Sequence, residues 1–129
     1  GALALAEAIR FYSRIGFQAM MAQEAHLVQR LMRGMQTMPW VHIVGSPDPA
    51  SHHGIVAFTV EGVHPHDIAE ILASRGVAIR AGHHCAQPLH AHLGLGATSR
   101  ASLMFYNTDA EIDRFLDALS GVRKAMGYR

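Results

Sequence analysis

The sequence predicts an α+β domain of two layers, in which four short strands are packed on one face by helices. Three observations predict it. Apolar residues recur at helical spacing near both ends of the chain. Between them lie short runs rich in β-branched and aromatic residues, punctuated by glycine and proline. The resulting order is helix–helix–strand–strand–helix–strand–strand–helix, which lacks the regular βαβ alternation of a parallel sheet.

Residues 2–15 read as a helix closed near Gly16. A second helix is predicted over 17–38, with Met20, Met21, Leu27, Val28, Leu31, Met32 and Met35 on one face. Methionine fills irregular gaps, so this stripe is core filler and not a cofactor box. Residues 40–44 (WVHIV) form a strand, 45–53 a Pro- and Ser-rich surface loop, and 54–60 (GIVAFTV) a second strand. His64-Pro65-His66-Asp67 opens a helix: Pro65 suits the first turn, Asp67 complements the dipole and Gly76 stops it. Ile68, Ile71 and Leu72 are its predicted buried face. Residues 77–80 are a short third strand, 89–93 one or two helical turns, 94–97 a loop and 99–106 the fourth strand. Thr108 to Glu111 matches the capping-box pattern. It starts a last helix with Ile112, Phe115, Leu116, Leu119, Val122 and Met126 on the apolar side, and Arg123 and Lys124 at its negative end.

Composition narrows the function classes. The chain has 129 residues, enough for one domain with its own core. Half the residues are hydrophobic and the formal net charge is +1, with acids and bases interleaved, so nothing electrostatic points to nucleic acid or an anionic membrane. No apolar run approaches the roughly 20 residues that span a bilayer. The opening GALALAEAIRF carries Glu7 and Arg10, unlike a signal peptide, and begins in a helix without a cap, as a fragment of a longer protein would. Cys85 is the single cysteine, so no internal disulfide forms and a reducing, cytoplasmic setting is expected.

The chemistry concentrates around that cysteine. Arg80-Ala81-Gly82-His83-His84-Cys85-Ala86-Gln87-Pro88 lies between a strand end and a helical turn. A thiol acts as thiolate, and an unperturbed cysteine, with a pKa of about 8.5, is only a few per cent ionised at neutral pH. Two histidines and an arginine close by in sequence favour the thiolate, and Gly82 lets the backbone place the sulfur on a loop. Three ionisable neighbours also make a poor apolar pocket for a structural cysteine.

RAGHHCAQP, followed by Arg100 in Ser99-Arg100-Ala101-Ser102 and by Tyr106-Asn107-Thr108, resembles the active-cysteine region of Suf-type (group II) cysteine desulfurases. These are pyridoxal-phosphate enzymes of the class V aminotransferase family, and His64-Pro65-His66-Asp67 also resembles their pattern. The likeness runs along the whole chain. It implies that residues 1–129 are the single carboxy-terminal domain, the small domain of a fold-type I transferase, without the large domain that binds the cofactor.

The resemblance implies that Cys85 is the nucleophile. It takes sulfur from cofactor-bound L-cysteine as a persulfide and releases alanine, for iron–sulfur cluster assembly. Arg100 matches the arginine that binds the substrate carboxylate, a pairing suited to the planar guanidinium fork. Arg80 organises the loop or contacts substrate, with a strand-end salt bridge as the alternative. His83 and His84 tune the thiol or shape the loop by hydrogen bonds. His66 corresponds to a histidine that engages the zinc of a sulfur acceptor, with hydrogen bonding at the helix start as the alternative. Implied partners are L-cysteine, a Suf-type acceptor protein and a second copy in a homodimer. With no second thiol to resolve it, a persulfide on Cys85 must pass its sulfur to another molecule.

Pyridoxal-phosphate chemistry needs a Schiff-base lysine. The only lysine is Lys124, placed by periodicity in the last helix, so no cofactor-binding residue is assigned here and the fragment alone is expected to be inactive. Two rivals stand. A selenocysteine lyase of the same family would use the same residues. A His/Cys metal-binding module is suggested by His52-His53, His64 with His66, His83-His84, and His90 with His92. No CxxC, HExxH or closed four-ligand spacing supports the module, so no metal ligand is assigned.

Overall fold

Residue alternation divides the central sheet into two chemically different faces. Val41, Ile43, Val56, Phe58, Val60, Ser99 and Ala101 point one way and are buried or half-buried. His42, Ala57, Thr59, Arg80, Arg100 and Ser102 point the other way. In the computed structural model, which describes residues 1–128, the elements are α1 (Ala2–Ile15), α2 (Phe17–Gln36), β1 (Val41–Val44), β2 (Ile55–Val60), α3 (Pro65–Ser74), β3 (Arg80–Gly82), α4 (Gln87–His92), β4 (Thr98–Ser102), α5 (Asp109–Ser120) and α6 (Val122–Ala125). A 3-10 turn, Pro49–Ser51, lies in the loop between β1 and β2. The four strands pair antiparallel in the order β1-β2-β4-β3.

Helices α2, α3 and α5 cover the apolar face. Leu27, Leu31 and Met35 of α2, Ile68 and Leu72 of α3, and Ile112, Phe115 and Leu119 of α5 meet Val56, Phe58 and Val60 in one core. Phe58 and Phe115 join the two layers edge to face, with centroids 6.1 Å apart. The predicted two-layer α+β architecture is therefore the observed one. The helix α1 buries none of its residues.

Five predicted features move. The helix α2 ends at Gln36, short of residue 38, and Met21 is 63% exposed instead of joining the apolar face. Trp40 precedes β1 in a turn, where its carbonyl accepts from Glu61 N. The third strand starts at Arg80, not at residue 77. Val77 N donates back to Leu72 O at the helix end, and Val77 and Ile79 pack on the core as an extended connector before pairing begins. The fourth strand stops at Ser102: one further bond in the same register, Leu103 N to Gly54 O, follows, and the chain then turns, with the Asn107 side chain accepting from Met104 N. The last helix breaks at Gly121, where a Cβ would run into the Arg75 guanidinium. Val122 then enters the core from the separate short helix α6, and Met126 is left 42% exposed.

Candidate active site

The strand β3 ends at Gly82, whose φ of 125° is open to glycine and strained for other residues. A turn follows, closed by Ala86 N donating to His83 O at 2.8 Å. Within it His84 and Cys85 have φ of 53° and 61°. Two successive left-handed non-glycine residues cost on the order of 1–2 kcal/mol each and persist only where surrounding contacts fix them. The side chains of His84 and His90 make those contacts. His84 Nε2–H donates to Thr98 O at 3.1 Å, and His90 bonds Ala86 O at 3.0 Å and Thr98 Oγ1 at 3.1 Å. Proline at the start of α4 then carries the chain away from the turn. The thiol of Cys85 is left exposed at the tip.

Arg100 stands opposite Arg80 across the β3–β4 pair, on the sheet face opposite to the core under α2, α3 and α5. Thr98, two residues before Arg100, shares that face and its hydroxyl meets His90 of α4, so the segment that follows the cysteine lies on the side of the sheet that carries both guanidinium groups. The Nε of Arg100 is buried without a hydrogen-bond partner. A buried unpaired donor costs stability, and an acceptor of opposite charge placed there would satisfy it. No acidic side chain pairs with Arg80 among the described residues.

His84 titrates below its ordinary range. Burial is the main cause, and the positive fields of Arg100 and Arg80 add to it, against the hydrogen bond to Thr98 O. His84 is thus a neutral imidazole at pH 7, with Nε2 protonated. Its Nδ1 is buried without a partner, so neither nitrogen bonds the thiol. His83 is exposed and its ring meets that of His90 edge-on at 5.5 Å.

At the start of α3, His64 caps the helix through Nδ1, which accepts from His66 N at 3.3 Å. The exposed ring of His66 stacks on that of His64 at 5.3 Å. The hydrogen bonding at this helix start therefore uses the His66 backbone and leaves its imidazole free of it. His64, His66 and His83 line one wide groove of about 650 Å³ together with Gly82 and residues 94–97.

Among the described residues no group of three or more His, Cys, Asp or Glu is arranged to hold a metal ion. His90, one of the paired histidines in the sequence, is instead held inside by two hydrogen bonds. For pyridoxal phosphate the fit fails within this chain. Lys124 lies exposed in α6, which packs with α3 and α5 in the helical layer, across the sheet from Arg80 and Arg100. What the described residues offer on this side of the sheet is an exposed thiol and a guanidinium with an unpartnered nitrogen.

The family model described as Aminotransferase class-V matches residues 1–115. A "Probable cysteine desulfurase" of Staphylococcus aureus (strain Mu50) is 41% identical over 127 residues, which are 98% of this chain and 30% of that protein. The apo structure of a cysteine desulfurase from Thermococcus onnurineus NA1 superposes with a TM-score of 0.91 at 39% identity, covering 97% of this chain and 31% of that one. The Escherichia coli cysteine desulfurase CsdA, in its S-sulfonic acid form, gives a TM-score of 0.73 at 31% identity over 84% of this chain and 26% of its own. The chain thus spans about 30% of the length of the curated relatives it matches.

Proposed function

This chain belongs to the aminotransferase class-V family, and from that membership we propose that it is the carboxy-terminal domain of a Suf-type cysteine desulfurase, with Cys85 as the sulfur-accepting nucleophile. The observation that carries the reading is the placement of one exposed thiol over the sheet face that holds a buried, unpartnered guanidinium nitrogen. Arg100 binds the carboxylate of L-cysteine by charge-assisted hydrogen bonds, and Arg80, which has no acidic partner among the described residues, contacts substrate or holds the loop beside it.

In the longer protein, pyridoxal phosphate bound by other segments supplies the electron sink that weakens the substrate's C–S bond. The part played by this chain is nucleophilic. The Cys85 thiolate forms an S–S bond to the substrate sulfur as the C–S bond breaks. The substrate thiol proton ends on the methyl carbon, so alanine and a persulfide anion are the products and no further reductant is consumed. As the single cysteine, Cys85 cannot pass the sulfur to a second thiol within this chain, which favours a dedicated acceptor protein and a reducing compartment such as the cytoplasm. The exposed ring of His66 beside the groove suits contact with that acceptor, including a zinc ion it carries. Iron–sulfur cluster assembly is the use of the sulfur that fits this role, and a homodimer is the assembly we infer for the whole enzyme.

The test is mass spectrometry of the whole enzyme after treatment with L-cysteine. One added sulfur on the peptide containing Cys85, absent from Cys85→Ser, is the expected result. Sulfide release that continues undiminished in Cys85→Ser would sink the assignment. L-selenocysteine in place of cysteine separates the lyase alternative by the ratio of the two rates.

A further inference from the structure

The turn that carries Cys85 is held by a buried histidine with no part in the chemistry proposed above. His90 is 6% exposed and lies one helical turn after Ala86, the residue that follows the cysteine. Its Nδ1 faces Ala86 O at 3.0 Å, and a carbonyl only accepts, so Nδ1 carries the proton. Its Nε2 stands 3.1 Å from the Thr98 hydroxyl, within hydrogen-bond distance. Thr98 is 1% exposed, and its carbonyl accepts in turn from His84, the residue before the cysteine. Both flanks of Cys85 are therefore tied to one strand residue. That residue lies two positions from Arg100 on the same sheet face.

We propose that His90 is a positioning residue: through Thr98 it latches the turn over residues 83–86, so that Cys85 is presented above the face that carries Arg100. A simple helix contact within α4 would need only the bond to Ala86. The second bond, to a buried hydroxyl on another element, is what couples the turn to the substrate-facing strand. The functional meaning of the latch rests on the reading of Cys85 as nucleophile, but the latch itself can be measured without it.

The experiment compares the expressed protein with His90→Leu, His90→Asn and Thr98→Val by peptide-resolved hydrogen exchange. Leu removes both bonds, Asn keeps an amide donor for Ala86 O, and Val keeps the volume of Thr98 while removing its hydroxyl. Exchange across residues 83–86 is expected to rise roughly tenfold or more in His90→Leu and to be partly restored in His90→Asn, with α2 and α5 unchanged. Thr98→Val is expected to reproduce part of the effect, and the double variant His90→Leu/Thr98→Val to add little to His90→Leu. Where the whole enzyme forms the persulfide, its formation slows in His90→Leu at an unchanged KM for cysteine. Unchanged exchange at 83–86, acceleration spread evenly over α2 and α5, or a silent Thr98→Val beside an active His90→Leu overturns the latch. Should His90→Leu fail to fold, Thr98→Val decides the question alone. Loosened exchange in a protein that never forms a persulfide would keep the latch and reject the desulfurase reading.

Discussion

At the scale of single residues, burial has the largest say over His84, and the guanidinium groups on the sheet reinforce it. Its pKa in the folded chain lies below the ordinary 6.5, so on acidification the unfolded chain takes up the proton first. The stability that neutral His84 contributes is therefore present above pH 6.5 and is lost as the pH falls below that value. Urea unfolding at pH 7.5 and 5.5 is expected to show a larger loss in the wild type than in His84→Gln. Identical losses would mean that the imidazole titrates alike in both states. Arg100 makes a second residue-scale prediction. Replacing its fork by the single ammonium of Arg100→Lys gives up bidentate pairing, and KM for cysteine in the whole enzyme should rise roughly tenfold or more. Unchanged kinetics would count against a carboxylate contact. Cys85 and Arg80 stood out in the sequence because reactive and charged side chains clustered there, and Arg100 stood out through the family resemblance. His90 did not, since it looked like one more member of a histidine pair. The clue lay in two spacings, one helical turn from Ala86 to His90 and two strand positions from Thr98 to Arg100. Neither spacing means anything until α4 is known to fold back over β4.

At the scale of elements, the clearest sequence signals were those whose physics is local. The capping box of α5 formed as predicted: Thr108 Oγ1 accepts from Glu111 N at 3.3 Å and the Glu111 carboxylate accepts from Thr108 N at 2.8 Å. That bond to the Thr108 backbone, with help from the Asn107 amide, holds the Glu111 carboxyl below its ordinary range. Thr108→Ala removes one half of this exchange and should lower unfolding free energy by about 1 kcal/mol. Denaturant titration checks it, and a loss indistinguishable from zero would mean that Glu111 alone satisfies the helix end. Strand limits were less legible because pairing, not propensity, sets them. Residues 77–79 have the composition of a strand, but β3 finds a partner only from Arg80 onward. The break between α5 and α6 depends on Arg75 of another element lying against Gly121, a contact that no reading of the last helix alone contains.

At the scale of the whole molecule, the sheet separates two jobs. One face is buried under α2, α3 and α5 and holds the chain together, and the other carries Arg80, Arg100 and the cysteine turn. The sequence placed helices on one face of the sheet, but which residues of β3 met β4 depended on the register. The division also decides what this chain does by itself. Lys124, its single lysine, sits in the helical layer with α6, across the sheet from Arg80 and Arg100. Incubated with pyridoxal phosphate and L-cysteine, the 129-residue chain is therefore expected to release no more sulfide than a control without protein. Borohydride reduction should find at most an adventitious adduct at Lys124, unaffected by Cys85→Ser. Turnover of cysteine by the chain alone, abolished by Cys85→Ser, would require an amine to approach the thiol from the same face. That outcome would contradict the placement of the lysine and the thiol on opposite sides of the sheet.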